Sequence, residues 1–212
     1  ISPRRLGKSG LIQHVFDAMR TREPESVCIY IDILHTKNQT EFAELFFSRV
    51  IAAMDSNAQT ALRKAAQFFK GIRPTMSFDE FNGSPSFSID IQPSQEQSTI
   101  EQTFDYIAKS GKRCYIAFDE FQQITEYPEK GTEALLRSMI QFVPNVWFIF
   151  SGSWQHLMTE MFLSERHPFY LASQMMSLNV IDEKKYLAFA NRFFKEQERE
   201  MKDEDFHYLY SL

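Results

Sequence analysis

The sequence predicts an α/β fold in three layers, a mainly parallel sheet between two layers of helices, on three observations. Continuous apolar runs such as Val27-Cys28-Ile29-Tyr30-Ile31 and Val146-Trp147-Phe148-Ile149-Phe150 alternate with stretches whose apolar residues recur every three or four positions. Such runs suit strands buried on both faces, and strands separated by helices pair in parallel. The chain opens with Ser2-Pro3-Arg4-Arg5-Leu6-Gly7-Lys8-Ser9, which fits the phosphate-loop pattern G-x-x-x-x-G-K-S/T with serine at the first glycine. A third apolar run, Cys114 to Phe118, ends in two adjacent carboxylates, Asp119 and Glu120.

Taken in order, the elements follow from their periodicity. From Lys8, the apolar positions Leu11, Ile12, Val15, Phe16 and Met19 mark a helix whose N-terminus adjoins the loop. Residues 27–34 form a buried strand. Residues 39–70 are helical, with Phe42, Leu45, Phe46, Val50 and Ile51 on one stripe and a polar break before Ala61. Between about 75 and 92, alternating residues flank Asn82-Gly83-Ser84-Pro85, a hairpin signature; it is expected to lie over the main sheet as an insertion. A helix from about Ser98 to Lys109 leads to the strand ending at Asp119. A helix near 131–142, the strand Val146–Phe150, a helix near Gln155–Phe162, a weaker strand at 175–181 and a charged amphipathic helix at 183–200 complete the chain. Residues 1–181 therefore read as one core domain and 182–212 as the beginning of another.

Composition narrows the function classes. Hydrophobic residues at 43%, charged residues at 24% and 21 phenylalanines describe a globular protein with an aromatic core. A net charge of −5 gives no overall basic field for nucleic acid. The two cysteines, Cys28 and Cys114, sit in separate strand-like runs; reduced core thiols are the simpler reading, a disulfide between neighbouring strands the other. Reduced thiols fit a cytoplasmic protein. No apolar run reaches the roughly 18–20 residues that span a bilayer, so no membrane partner is expected. The five histidines have no metal-ligand spacing.

The loop and the paired carboxylates supply what a nucleoside triphosphate with Mg²⁺ requires, and make the three-layer sandwich one of the P-loop NTPase kind. Ser2, Pro3, Arg4, Arg5, Leu6, Gly7, Lys8, Ser9 and Gly10 would surround the phosphates of ATP or ADP, with Lys8 reaching the β- and γ-phosphates. Ser9 and Asp119 would face Mg²⁺, Ser9 through its hydroxyl. Glu120 is placed to deprotonate a water attacking the γ-phosphate. Ser151, in Ser151-Gly152-Ser153 after a strand, emerges at the same sheet edge, where ligands of open α/β sheets bind; a plain turn is the alternative. Asp32 is either a supporting carboxylate or a turn cap, and Arg4 and Arg5 either neutralise phosphate or face solvent.

These residues carry a resemblance to a known family. The loop, Tyr30-Ile31-Asp32, Ile116-Ala117-Phe118-Asp119-Glu120-Phe121-Gln122, Phe150-Ser151-Gly152-Ser153, the hairpin stretch and Pro168-Phe169-Tyr170 resemble the archaeal-type ATPases, P-loop ATPases of the AAA+ and STAND class. The resemblance covers nearly the whole chain. It implies a five-stranded sheet with the loop's strand central, a helical lid beginning in 182–212, and a further C-terminal extension. Members often carry an arginine within or just after Pro-Phe-Tyr; here Leu171-Ala172-Ser173 follows, with Arg166 before it.

Three functions follow as expectations: a Mg²⁺-dependent ATPase whose nucleotide state drives a conformational change, a nucleotide-binding switch with negligible turnover, and a helper ATPase acting with a DNA-binding partner through a C-terminal region. A protein partner and an oligomer are compatible with all three. The strand that enters a P-loop is expected ahead of Ile1, so residues 1–212 alone are expected not to fold.

Overall fold

A computed structural model describes residues 1, 3, 5–55, 57–69, 74–78, 85–92, 94–196 and 199–210. In chain order its elements are α1 (Lys8–Arg22), β1 (Val27–Asp32), α2 (Gln39–Met54), α3 (Ala58–Phe68), β2 (Pro74–Phe78), β3 (Pro85–Ile89), α4 (Glu96–Ser110), β4 (Cys114–Asp119), a 3-10 helix (Phe121–Glu126), α5 (Thr132–Ile140), β5 (Val146–Phe150), α6 (Gln155–Leu163), α7 (Glu183–Lys195) and α8 (Asp203–Tyr210). They fall into two compact units, Ile1–Met176 and Ser177–Leu212.

The main sheet is parallel, in the order β1-β4-β5, with Tyr30 opposite Ala117 and Phe118 opposite Phe150. Its alternation sorts side chains onto two faces. Ile29, Ile31, Cys114, Ile116, Phe118 and Phe148 join α2 and α4 in the principal core, where Phe42, Phe46, Phe104 and Phe118 contact one another at centroid distances of 4.9–5.8 Å. The opposite face carries Cys28, Tyr30, Tyr115, Ala117 and Ile149, and α1 covers it with Ile12 and Phe16. Helices thus lie on both sides of the sheet, as the sequence predicts.

Register separates the cysteines. Val27, not Cys28, lies opposite Cys114, so the two thiols point to opposite faces and both are free. Burial pushes the Cys114 thiol up to about 11.

Two expectations are corrected. Among the described residues the main sheet has three strands, not five. The segment at 175–181, expected as a strand, is irregular, with Met176, Val180 and Ile181 well exposed. An apolar run becomes a strand only beside an edge that pairs with it. The hairpin is antiparallel, with Met76 opposite Phe87, but it rests on α2: Phe87 and Ile89 are buried in the principal core while Thr75 and Ser88 bond on the wet face at 2.8 Å. Its turn, including Asn82 and Gly83, lies outside the described residues.

In the second unit Asp182 caps α7 by accepting from Lys185 N at 3.1 Å, and Phe206 of α8 is buried against Tyr186. The helix expected over 183–200 is shorter, ending at Lys195.

Candidate nucleotide site

The loop turns into α1 through two left-handed residues, Arg5 (φ 67°) and Gly7 (φ 78°). Gly7 adopts this conformation without steric cost, whereas Arg5 costs on the order of 1 kcal/mol. No side chain caps α1 and no acidic residue occupies its first turn, so the helix itself does not neutralise its positive end. Lys8, the first helical residue, is buried, and its Nζ donates to Pro3 O at 2.8 Å, folding the ammonium back across the loop. Pro3, Arg5, Gly7, Ser9 and Gly10 are exposed and Leu6 is half-buried. Ser2 and Arg4 lie outside the described residues.

The sheet brings the carboxylates to this helix end. Asp119 is the last residue of β4, only 3% exposed. Ser9 Oγ donates to its Oδ2 at 2.5 Å, Tyr30 OH donates to the same oxygen, and Glu120 N donates to Oδ1 at 3.0 Å. Burial alone would raise the Asp119 pKa; the hydrogen bonds from Ser9 and Tyr30, with Ser151 and Glu120 N, outweigh it and hold the carboxyl below its ordinary value. Ser151 Oγ is buried and completes no hydrogen bond of acceptable geometry, although it lies near enough to Asp119 to act on it electrostatically.

Glu120 takes a left-handed conformation (φ 54°) at the bend into the 3-10 helix, a strain typical of functional positions. Its Oε2 accepts from Gln122 Nε2 at 2.6 Å, Ser153 Oγ at 2.6 Å and Ser153 N at 3.3 Å. The ends of β4 and β5 are tied by Ser151 N donating to Phe118 O at 2.9 Å and Phe121 N donating to Ser151 O at 2.8 Å. Between the two serines, Gly152 allows a close approach: a Cβ there would lie 2.3 Å from Gln122 Oε1 and 2.6 Å from Met158, so those side chains would have to shift.

Residues 2–212 match the model of a family described as an ATPase domain predominantly from Archaea. The chain belongs to this family. Its fold resembles a Walker-type ATPase of Pyrococcus abyssi (TM-score 0.60, 17% identity) over 100% of this chain and 56% of that one. It also resembles the ORC2 protein of Aeropyrum pernix, solved as ADPNP–ADP complexes (TM-score 0.54, 11% identity), over 92% of this chain and 44% of that one. The chain thus spans about half the length of these relatives. Among curated proteins none matches it.

As an archaeal-type P-loop ATPase domain, the chain can be tested for its fit to Mg²⁺. One hydroxyl and one ionised carboxylate converge beside an uncapped helix terminus, and Ser151 Oγ is an orphaned buried donor in the same place. Mg²⁺ binds with one or two protein oxygens and the oxygens of a phosphate substrate, so this donor set fits. No cluster of three or more His, Cys, Asp or Glu suited to a metal occurs among the described residues.

Of the other residues singled out in the sequence, Asp32 caps its own turn, accepting from Leu34 N at 3.0 Å. Arg166 is exposed, and Phe169 of the Pro-Phe-Tyr segment is a core plug against Phe121, Phe150 and Phe162. Sequence reasoning missed the roles of Tyr30 and Gln122, and placed Ser153 only as a hydroxyl near the edge. Tyr30 looks like one more apolar residue of a buried run; only its register opposite Ala117 frees a path to Asp119. Among the described residues no helix is long and apolar enough to cross a membrane.

Proposed function

We propose that this ATPase domain binds ATP with Mg²⁺ and hydrolyses its γ-phosphate, using nucleotide state to reposition the segment that follows residue 181. The observation that carries this reading is the Ser9–Asp119 hydrogen bond, which joins a phosphate-loop helix to an acidic strand end, with Glu120 as the next residue. Residues 1–181 form the nucleotide core in this reading, and 182–212 begin a lid.

The loop from Ser2 to Gly10 wraps the phosphates, and the N–H groups opening α1 donate to them. Lys8 leaves Pro3 O for the β- and γ-phosphate oxygens, a charge-assisted exchange for a neutral acceptor. Ser9 and Asp119 would hold Mg²⁺, which would supply neutralisation of the phosphate charge. Glu120, fixed through Oε2, presents Oε1 as general base to the attacking water, and the Ser151 hydroxyl donates toward the γ-phosphate. The family's cytoplasmic P-loop ATPases of the AAA+ and STAND class are the fitting context.

A switch with little turnover is favoured by two features: Lys8 is held on Pro3 O, and Glu120 carries three hydrogen bonds to one oxygen. Phosphate release from ATP by the full-length protein, with Mg²⁺ and with a chelator, with and without DNA, separates the readings. Steady Mg²⁺-dependent release supports the ATPase. Nucleotide binding without release supports the switch, and absence of binding overturns both. Stimulation by DNA supports the helper reading.

A further inference from the structure

Asp119 Oδ2 receives two hydroxyl donors, and only one of them comes from the phosphate loop. The other, Tyr30, reaches it from the neighbouring strand. In the parallel register Tyr30 lies opposite Ala117, and Asp119 follows two residues later on the same face of β4. Ala117 has only a methyl group, so the phenol ring lies across β4 beneath α1, packed with Ile12 and Phe16, and its hydroxyl arrives at the carboxylate. A tyrosine in such a place needs a partner for its hydroxyl. Here that partner is the buried carboxylate at the centre of the site.

The two donors differ in what ligand binding does to them. Ser9 sits on the loop and, in the reading given above, turns its oxygen toward the cation. Tyr30 is anchored in the sheet face and has no such second task. Its phenol donates directly to Asp119 Oδ2 from the neighbouring strand. Glu120 N fixes the other oxygen at 3.0 Å. Carboxylates facing a metal are commonly oriented by such outer partners, whose loss costs about 10–100-fold in metal affinity or activity.

We infer that Tyr30 is a positioning residue for the cation site, holding Asp119 Oδ2 in the orientation that the nucleotide's divalent cation requires. This rests on the assignment of Ser9 and Asp119 to Mg²⁺.

The test measures binding, not turnover. Affinity of the full-length protein for a fluorescent ATP analogue is determined in chelator and across a Mg²⁺ titration, for wild type and Tyr30→Phe. The expected result is unchanged affinity in chelator and a Mg²⁺ midpoint about tenfold higher in the variant. An unchanged midpoint overturns the inference. An equal loss of affinity in chelator and in Mg²⁺, or a variant that no longer binds in chelator, overturns it too, because the phenol would then serve only the fold. If wild type itself ignores Mg²⁺, the cation assignment of Ser9 and Asp119 fails, and the inference with it.

Discussion

Ser9 Oγ donates to Asp119 Oδ2 at 2.5 Å across 110 positions of sequence. This bond joins the helix that opens from the phosphate loop to the end of a buried strand. The helix is held over that strand by Ile12 and Phe16 against Ala117, so the contact is set by packing as much as by the two groups themselves.

Lys8→Ala is expected to weaken nucleotide binding at least about tenfold, or about 1.4 kcal/mol. The ammonium rests on Pro3 O at 2.8 Å and is the lysine of the loop closest to the helix terminus. Titration with a fluorescent ATP analogue reads the change; unaltered affinity would remove the phosphate-loop assignment.

Glu120→Gln keeps the side chain's shape but not its basicity. Binding is expected to persist while turnover falls by roughly 10²-fold or more. Ser153→Ala, which removes the 2.6 Å bond from Ser153 Oγ to Glu120 Oε2, is expected to change turnover by less and leave binding intact. Equal phosphate release from wild type and Glu120→Gln would make Glu120 a structural carboxylate.

Gly152→Ala forces an added methyl to within 2.3 Å of Gln122 Oε1. Gln122 and Met158 have to shift, and the shift is expected to weaken the bond from Gln122 Nε2 to Glu120. The substitution is expected to cost about 1–3 kcal/mol of stability, as overpacking does, and to lower turnover without weakening nucleotide binding. Urea unfolding together with single-turnover kinetics checks both; a wild-type profile in each would show that the contact yields freely.

Asp119 gives the protein a defined acid dependence. Its folded pKa lies below the ordinary carboxylate value: burial would raise it, but the bonds from Ser9, Tyr30 and Glu120 N, with the nearby Ser151 hydroxyl, outweigh burial. Its contribution to stability is therefore complete above the unfolded value, about 3.9, and is lost as pH falls through the folded pKa. Asp119→Asn is expected to be less stable than wild type at pH 7, with the difference shrinking toward pH 3. A difference independent of pH would mean that the carboxylate's charge contributes nothing to the folded state.

Much of the fold was legible because burial on both faces leaves long apolar runs. β1, β4 and β5 each coincide with one, and the helices from α1 to α6 fall where three-and-four spacing places them. The weaker apolar run at 175–181 joins no strand of the sheet among the described residues. Composition alone does not supply a neighbouring edge. The hairpin's alternation was equally legible, but its resting place on α2 depends on which apolar surface the helix leaves open.

For the candidate site, the chemical parts are legible along the chain: the loop with Lys8 and Ser9, the strand-end pair Asp119 and Glu120, and the serines after β5. Each is a local pattern, a glycine turn or an apolar run followed by polar residues. Their partners come from packing between distant segments. Tyr30 reaches Asp119 because the parallel register sets it opposite a small residue, and Gln122 turns back on Glu120 because Gly152 leaves room. Cys28 and Cys114 face apart through the same one-residue offset. Register and close approach arise between segments far apart in the chain, so no window of sequence contains them.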